Sequence, residues 1–291
     1  MIQENIIGVG ISGLVGSRVK ELLTQYSWIG LSRENGFDIQ IPDSVSFSQY
    51  NQASWVVLFA AKADVDACEL DREHGKDGEA WKINVEGART VVNACRRDGK
   101  KLIYISTDFV FSGDDTPENG YDEDDIPSPI NWYGHTKFEA EKIIQESGID
   151  HIIVRPAYPY RAKFDSKKDF FRAILGRLQN NQPIKAITDH VYNPTFIDDI
   201  ADAIGILLKE DKRGIFHVVG SQSLSPYESA LEIARVFNCD ANLIDKITRQ
   251  EYFEGKANRP YNLHMNNDKI TKLGVTMRSF TQGLEEIKKQ L

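Results

Sequence analysis

The residues with the clearest chemical potential are a tyrosine and a lysine four positions apart, Tyr133 and Lys137. On a helix this spacing places both side chains on one face, so that hydroxyl and ammonium can reach the same pocket. A free phenol has a pKa near ~10, and a cation held nearby moves that value towards neutrality. The pair could therefore give a proton to a carbonyl oxygen while hydride arrives at the carbon.

This motif alone is weak evidence, because the chain contains it twice. The second copy, from Tyr252 to Lys256, has a glycine inside it and no glycine-rich strand-turn-helix associated with it. The first copy lies downstream of several signals for one kind of cofactor. We therefore take the copy at Tyr133 as the candidate active site.

A glycine-rich turn near the N-terminus is the first of those signals. An apolar run at residues 6–9 is followed by Gly10, Gly13 and Gly16 and then by a helical pattern. Strand, glycine turn and helix place backbone N–H groups at a pyrophosphate. A register starting at Gly8 also fits, but the later one puts Gly16 inside the helix, where a missing side chain permits close packing. A plain glycine turn is the alternative, and the flanking pattern favours dinucleotide binding.

The end of the second predicted strand bears on the choice of cofactor. An acidic residue at this place would hold the ribose 2′-hydroxyl of NAD, whereas arginine suits the 2′-phosphate of NADP. The chain has Ser32 and Arg33 here, which favours NADP(H). Glu34 follows directly, and an acidic residue here leaves NAD(H) as an alternative cofactor. Arg33 could also be a solvated loop residue without a role in cofactor choice, which leaves the same alternative open.

Small and hydroxyl side chains stand at the ends of two further predicted strands. Residues 54–61 form a nearly continuous apolar run, as expected of a buried parallel strand, and end in Ala60 and Ala61. These alanines would let a cofactor lie close to the backbone. The next buried strand ends at Thr107, whose hydroxyl would point toward the ligand crevice and could bind the substrate oxygen that Tyr133 protonates. An ordinary strand end would look identical.

A long helical pattern runs from Gly78 to Arg97 and contains Asn84. A site role for Asn84 and a surface or capping role are equally compatible with the local sequence. Strand and helix patterns alternate up to Pro156 and less strictly beyond it. We predict an α/β fold with a doubly wound parallel sheet and a smaller C-terminal lobe. Residues 1–160 would form the dinucleotide-binding domain and 161–291 the substrate lobe, with 190–219 returning to the core.

Composition excludes several classes of protein. The 291 residues are 41% hydrophobic and 27% charged, with a net charge of −8 and no dense basic stripe, which argues against nucleic acid or a membrane surface as partner. No apolar run reaches ~20 residues. Three widely spaced cysteines indicate a reducing compartment, and the six histidines show no metal-ligand spacing. These observations predict a cytoplasmic protein without a metal.

The order of motifs resembles the extended short-chain dehydrogenase/reductase superfamily. That order is a glycine-rich turn, an alanine strand end, an Asn-x-x-Gly helix, a Ser-Thr-Asp strand end and Tyr-x-x-x-Lys. Within the superfamily, several segments are similar to the dTDP-4-dehydrorhamnose reductases: residues 65–69, 84–88, 106–113, 121–129, 193–195 and 259–263. The resemblance runs from about Ile6 to the C-terminus.

The resemblance implies roles for individual residues. Tyr133 would be the acid/base, Lys137 its activator and a ribose ligand, and Thr107 the partner of the substrate oxygen. Together with the strand-end residues above, the expected cofactor contacts are Gly10, Gly13, Leu14, Val15, Ser32, Arg33, Asp38, Ile39, Ala60, Ala61, Tyr133 and Lys137. The expected substrate contacts are Val65, Phe109, Tyr158 and Arg259. Tyr158 stands where the reductases tend to carry tryptophan against the sugar.

The implied activity is reduction by NAD(P)H of the 4-keto group of a nucleotide-linked deoxysugar, in a protein that forms a homodimer. Phe109 follows Asp108 where sugar-nucleotide dehydratases carry the glutamate that they need for water elimination, so a dehydratase is set aside. Two alternatives stay open. One is a sugar-nucleotide 4-epimerase, and the other is a non-catalytic NADP-binding subunit resembling the regulatory subunit of methionine adenosyltransferase.

Overall fold

Ten strands occur in the computed structural model, which describes residues 3–291 of the chain. In chain order they are β1 (Glu4–Val9), β2 (Tyr26–Leu31), β3 (Ala53–Leu58), β4 (Lys101–Ile105), β5 (His151–Arg155), β6 (Pro159–Tyr160), β7 (Ile184–Ile187), β8 (Thr195–Phe196), β9 (Gly214–His217) and β10 (Ile244–Ile247). Six of them form the central sheet in the order β2-β1-β3-β4-β5-β9, and every neighbouring pair is parallel.

Eleven helices surround these strands within the described residues. They are α1 (Leu14–Leu22), α2 (Val65–Leu70), α3 (Glu79–Trp81), α4 (Gly87–Asp98), α5 (Trp132–Gln145), α6 (Phe170–Gln179), α7 (Ile197–Lys209), α8 (Pro226–Phe237), α9 (Arg249–Tyr252), α10 (Asp268–Thr271) and α11 (Phe280–Gln290). The helical pattern predicted from Gly78 to Arg97 is interrupted, because a π turn at Lys82–Glu86 separates α3 from α4. No helix in this part of the chain is long and apolar enough to cross a lipid bilayer.

Both faces of the central sheet are covered. Alternate side chains of one strand point to opposite faces, so Ile6 packs in a core with α1 and α7, whereas Ile7 packs in a core with α4 and α5. Because both faces of the sheet are buried, the sequences of its strands are nearly continuous apolar runs. The direction of chain winding reverses between β1 and β3, which is where ligands bind in open α/β sheets. The predicted doubly wound fold is confirmed.

A separate core lies in the C-terminal part of the chain. It is formed by α6, α8 and α11 together with two small parallel sheets, β7 with β10 and β6 with β8. Strand β9 then pairs with β5 in the central sheet, so that the chain returns from this lobe to the sheet. The position of the boundary near residue 160 stays a prediction.

Helix α5 approaches the loop after β4 unusually closely at Gly134. A Cβ atom added to Gly134 would lie 2.1 Å from the carbonyl oxygen of Phe109, a distance that no real side chain tolerates. The missing side chain therefore lets the helix backbone rest on the loop, which begins at Thr107. This contact sets the distance between helix α5 and the end of strand β4.

We predict that Gly134→Ala lowers the free energy of unfolding by about 1–3 kcal/mol, because α5 or the loop must shift to make room. Gly176→Ala is the matched control: Gly176 lies in α6, and its added Cβ would meet nothing nearer than a lysine nitrogen at 3.9 Å. That change should raise stability by up to about 1 kcal/mol through helix propensity. Urea unfolding curves of the two variants check both signs, and equal effects would contradict the close-contact argument.

Candidate active site

The glycine-rich turn joins β1 to α1 at the reversal point of the sheet. Gly10 has a φ of 73°, and a Cβ there would lie 2.8 Å from the backbone of Ala60, so only glycine fits. Ala60 thus supports the turn directly, in addition to its predicted place beside a cofactor. Gly13 precedes α1 and no side chain caps the helix, which leaves its first N–H groups to a ligand.

The cradle formed by this turn fits a dinucleotide pyrophosphate. A Cβ at Gly13 would meet only the carbonyl oxygen of Gly10, at 3.4 Å, so the space in front of the helix is open. Gly16 is closely packed, as the preferred register predicts, since its Cβ would lie 2.8 Å from the backbone of Ile11. The uncapped N–H groups of Leu14 and Val15 suit an anion, which the helix dipole also favours.

The predicted adenosine contacts lie together beyond β2. The Nε atom of Arg33 is 3.2 Å from Oδ2 of Asp38, and its Nη2 donates to Oε1 of Gln40 at 2.5 Å. Ile39 packs against the backbone of Gly87, where a Cβ would lie 2.7 Å from its Cδ1. Arg33 is 61% exposed, so its ion pair with Asp38 is weak and a phosphate can compete for the guanidinium.

Tyr133 lies in the first turn of α5, and the helix start is well defined. The side chain of Asn131 caps the helix by accepting from the N–H of Gly134 at 2.9 Å. The buried Tyr133 ring meets Phe109 edge to face, with 5.9 Å between centroids. Thr107 lies close enough for its hydroxyl to favour the Tyr133 phenolate. The structure thus brings together the tyrosine and the strand-end hydroxyl that the sequence predicted as partners.

The ionisation of Tyr133 differs from the sequence-based expectation. Burial raises the pKa of this phenol, the neighbouring Asp108 carboxyl adds to the rise, and the Thr107 hydroxyl opposes it. Lys137 does not bring the pKa towards neutrality here, because its ammonium is directed elsewhere. Tyr133 therefore holds its proton at neutral pH, which is the state that a proton donor requires.

The ammonium of Lys137 is directed towards strand β4. Its Nζ donates to the carbonyl oxygen of Ile105 at 2.7 Å and lies 4.1 Å from the centre of the Tyr104 ring. Burial lowers the pKa of Lys137 to about 7, and the negative charge of Glu141, one turn further along the helix, opposes this. Lys137 is thus held under the strand end, where burial favours the neutral amine and Glu141 favours the ammonium.

Asp108 is a buried carboxyl that the sequence reasoning did not single out as a site residue. Its Oδ1 accepts from the Thr107 hydroxyl at 2.9 Å, and its Oδ2 has no hydrogen-bond partner among residues 3–291. Burial raises the pKa of Asp108 to about 7. An unpaired buried carboxyl beside Tyr133 marks this end of the sheet as a place for a polar ligand.

Three predicted substrate contacts gather around Tyr133. Val65, Phe109 and Tyr158 belong to one apolar cluster with it, and the Phe109 and Tyr158 rings are 6.1 Å apart. The Tyr158 hydroxyl donates to Nε2 of His190 at 2.8 Å. Burial lowers the pKa of His190 to about 4, so the ring is neutral and can accept this bond. The sequence did not indicate this role of His190, because it depends on a contact across the lobe.

Arg259, the fourth predicted substrate contact, is tied to its surroundings. It pairs with Oδ1 of Asp66 at 2.8 Å and donates to the carbonyl oxygen of Ala257, and its guanidinium lies 4.6 Å from the centre of the Phe253 ring. Its charge opposes the rise that burial causes in the pKa of Tyr158. Arg259 therefore lies near the predicted sugar position while joining the lobe to the start of α2.

A pocket of about 720 Å³ opens in the lobe next to Tyr158. Its lining is mostly aromatic and aliphatic, with two cations and one carboxylate. The residues concerned are Tyr158, Phe170, Ala173, Ile174, Arg177, Pro183, Ile184, Lys185, Ala186, Ile187, His190, Tyr192, Pro226, Asp245, Tyr252 and Phe253. Such a pocket suits a flat, polar-edged ligand. Within residues 3–291 no cluster of three or more histidine, cysteine or acidic side chains could hold a metal ion.

Asn84 has a structural role that the sequence left open. It is buried in the π turn, where its Oδ1 accepts from the N–H of Lys62 at 2.8 Å. Its Nδ2 donates to the carbonyl oxygen of Lys62 at 3.0 Å and to the Thr136 hydroxyl at 2.9 Å. One amide thus joins the segment after β3 to helix α5, and π turns are frequent at functional sites.

The site combines a glycine turn at the reversal point of a parallel sheet with a tyrosine and lysine helix facing the adjacent strand ends. This combination defines the extended short-chain dehydrogenase/reductase class. A family model described as the RmlD substrate binding domain matches residues 4–291. The chain belongs to this family.

Comparison with known proteins confirms the resemblance predicted from the sequence. The crystal structure of dTDP-4-dehydrorhamnose reductase from Bacillus anthracis strain Ames in complex with NADP superposes with a TM-score of 0.88 at 29% identity, covering 100% of both chains. The spore coat polysaccharide biosynthesis protein SpsK of Bacillus subtilis is 30% identical over 97% of this chain and 95% of the relative. Methionine adenosyltransferase 2 subunit beta of Pongo abelii is 26% identical over 97% of this chain and 86% of the relative.

We predict that Asn84→Ala lowers the free energy of unfolding by about 1–3 kcal/mol, because it removes three hydrogen bonds and leaves the partly buried backbone groups of Lys62 without this partner. Asn242→Ala is the control, since Asn242 is exposed and its amide bonds only locally, to Asp240. Urea unfolding of both variants measures the difference. A loss no larger than that of the control would show that Asn84 does not hold α5 in place.

Proposed function

We propose that this protein is an NADPH-dependent reductase of the 4-keto group of a nucleotide-diphosphate deoxysugar, similar to dTDP-4-dehydrorhamnose reductase. The observation that carries the proposal is the position of the buried Tyr133 hydroxyl, beside Thr107 at the ligand edge of the sheet. Fold alone would not support it, because relatives with this fold perform several chemistries. NADH stays an alternative cofactor, and a homodimer stays a prediction from the resemblance.

The residues of the cofactor crevice fit a dinucleotide. The turn from Gly10 to Val15 would hold the pyrophosphate, Arg33 the 2′-phosphate, and Lys137 the nicotinamide ribose. NADPH, when bound, supplies the hydride for the keto carbon. The protein contributes the proton: Tyr133 releases it to the substrate oxygen as negative charge develops there, beside the Thr107 hydroxyl.

The lobe contributes the substrate-binding surface. Phe109 and Tyr158 form an aromatic wall that continues from Tyr133 into the pocket of the lobe. Aromatic faces suit a nucleobase and the apolar face of a deoxysugar. Arg177 and Lys185 line the same pocket and suit a diphosphate. A nucleotide-diphosphate sugar therefore fits the site better than a free sugar does.

The decisive experiment follows NADPH absorbance with purified protein and enzymatically generated dTDP-4-dehydro-L-rhamnose. Oxidation of NADPH that depends on the sugar supports the proposal. The same assay with NADH shows which of the two cofactors the protein prefers. A panel of other 4-keto sugar nucleotides then identifies the preferred sugar. A 4-epimerase would instead invert C4 of a 4-hydroxy sugar nucleotide without net oxidation or reduction of the cofactor, which product analysis with such a substrate detects.

We predict that Tyr133→Phe reduces kcat by at least about 10²-fold, the usual contribution of a positioned acid, and leaves the dissociation constant of NADPH nearly unchanged. Tyr26→Phe is the control, because Tyr26 is the first residue of β2 and lies at the end of the sheet opposite the ligand edge. Steady-state kinetics and NADPH fluorescence titration measure the two effects. Full turnover by Tyr133→Phe would refute the mechanism.

We predict that Arg33→Asp weakens NADPH binding by about tenfold or more and NADH binding by less than about threefold, because only NADPH carries the 2′-phosphate. Fluorescence titration of both cofactors measures the ratio. Arg235→Asp is the control, since Arg235 is likewise an exposed arginine paired with a carboxylate, that of Glu232. An equal effect of Arg33→Asp on both cofactors would remove the basis of the NADP preference.

A second candidate is a non-catalytic NADP-binding subunit. It is favoured by the similarity to methionine adenosyltransferase 2 subunit beta, which extends over 97% of this chain. The same assay separates the two functions. A subunit of this kind would bind NADPH but oxidise none with any sugar of the panel, and replacement of Tyr133 would change neither result.

A further inference from the structure

One buried face of helix α5 carries three ionisable groups at intervals of four residues, Tyr133, Lys137 and Glu141. Residues at this spacing are neighbours on a helix. The first two belong to the catalytic arrangement described above, whereas the third has no assigned role. Glu141 is fully buried, so its carboxylate needs a specific reason to be there.

The position of the Glu141 carboxylate is determined by strand β5. Nε of Arg155 donates to Oε1 at 3.0 Å, and Nη2 donates to Oε2 at 2.6 Å, so that the pair is bidentate. Arg155 is itself buried, with its Nη1 3.3 Å from Nε2 of His217 and its guanidinium 5.2 Å from the centre of the Phe111 ring. Burial and the charge of Arg155 lower the pKa of His217 to about 3, so this histidine is neutral.

The other groups that face Lys137 give its ammonium little compensation. Strand β4 supplies the Ile105 carbonyl and the Tyr104 ring, and Tyr104 stays neutral because burial raises its pKa. Helix α2 supplies Cys68, whose pKa burial raises to about 12. The loop after β4 supplies Asp108, beside Tyr133. Glu141 is the carboxylate whose charge acts directly on Lys137.

We propose that Glu141, held in place by Arg155, keeps Lys137 in its ammonium form and so acts as a positioning residue for the catalytic lysine. The catalytic meaning of this inference rests on the proposed function, but the electrostatic effect itself does not. The carboxylate lies one helical turn from Lys137 and stabilises its ammonium, and the guanidinium holds the carboxylate in place with two hydrogen bonds. Lys137 thereby stays charged in a buried place that otherwise favours the neutral amine.

Removal of the Glu141 carboxylate should lower the pKa of Lys137. Burial already lowers this pKa, and the charge of Glu141 opposes that effect by raising it. The amine then loses its proton at a lower pH. A reaction that requires the ammonium would lose activity on its alkaline side at a lower pH as well.

The test measures the ionisation of Lys137 directly. Protein carrying lysine labelled with ¹³C at Cε is titrated by NMR, and the Lys137 resonance is assigned by its absence from Lys137→Met. In the double variant Glu141→Gln, Arg155→Gln, which keeps a neutral hydrogen-bonded pair, we expect the midpoint to fall by about one pH unit. The substitutions are made together, because removing one partner alone leaves a buried unpaired charge.

A second ion pair provides the matched control. Asp199 in α7 is fully buried and pairs with Arg278, whose side chain is 31% exposed, so the double variant Asp199→Asn, Arg278→Gln removes a partly buried pair from the other face of the sheet. Its Lys137 midpoint should match that of the wild type. If the amide variant at Glu141 and Arg155 does not fold, Glu141→Met, Arg155→Met replaces it, since apolar residues often substitute well for a buried pair.

An unchanged Lys137 midpoint in the folded variant would overturn the proposal, as would an equal change in the control. The pH profile of kcat/KM gives a separate result, because its alkaline limb should move to lower pH together with the NMR midpoint in the double variant. In Glu141→Asp, which retains a carboxylate, both values should stay close to those of the wild type. If the NMR midpoint moves but the wild-type protein reduces no sugar, the electrostatic role of Glu141 stands and the proposed function fails.

Discussion

The contact between the backbone of helix α5 and the loop after strand β4 is the constraint on which the rest of the site depends. At Gly134 the helix lies so close to the Phe109 carbonyl that no side chain fits between them. This approach places Tyr133 beside Thr107 and buries Lys137 under the end of β4. The Asn131 cap and the Asn84 amide hold the helix in the same position. Proton transfer requires that positions be held this closely, because a small misplacement of reacting groups costs much of the rate.

Burial controls the charge of each group in the site. It keeps Tyr133 protonated, moves Asp108 towards its neutral form and draws Lys137 towards the free amine. Of these three groups, Lys137 is the one with an opposite charge nearby, that of Glu141 in the next turn of the helix. Neutral acids in a site that excludes water are well suited to give up a proton when negative charge develops on a bound oxygen. The chemistry thus depends as much on where water is excluded as on which residues are present.

The two parts of the chain supply different components of the reaction. The sheet and its glycine turn provide a place for the cofactor, and this arrangement is common to many enzymes. The lobe provides the aromatic ring of Tyr158 and the pocket beyond it. The Tyr158 hydroxyl is held by His190. The proposed substrate surface therefore belongs to the lobe, whereas Tyr133 and Lys137 lie in helix α5 beside the central sheet.

Much of this arrangement could be predicted from the sequence, since local patterns determine local structure. Apolar runs predicted the strands, the register of Gly10, Gly13 and Gly16 predicted the turn, and the four-residue spacing predicted a shared face for Tyr133 and Lys137. The motifs in order also indicated the family, which the comparisons confirm.

Only the tertiary structure decided which groups are buried together. His190 and Arg155 are distant in sequence from Tyr158 and Glu141, the residues that they contact, so no local pattern could reveal their roles. Asp108 and Glu141 lie close in sequence to Thr107 and Lys137, but only the packing of the chain decides that their carboxyl groups are buried. The direction of the shift in the pKa of Tyr133 was also wrong in the prediction, because spacing shows that a cation is near but not where its ammonium points. The sequence by itself determined the elements and the reactive residue types. The packing of α5 against the end of β4 determined their charges, because desolvation depends on contacts that only the folded chain makes.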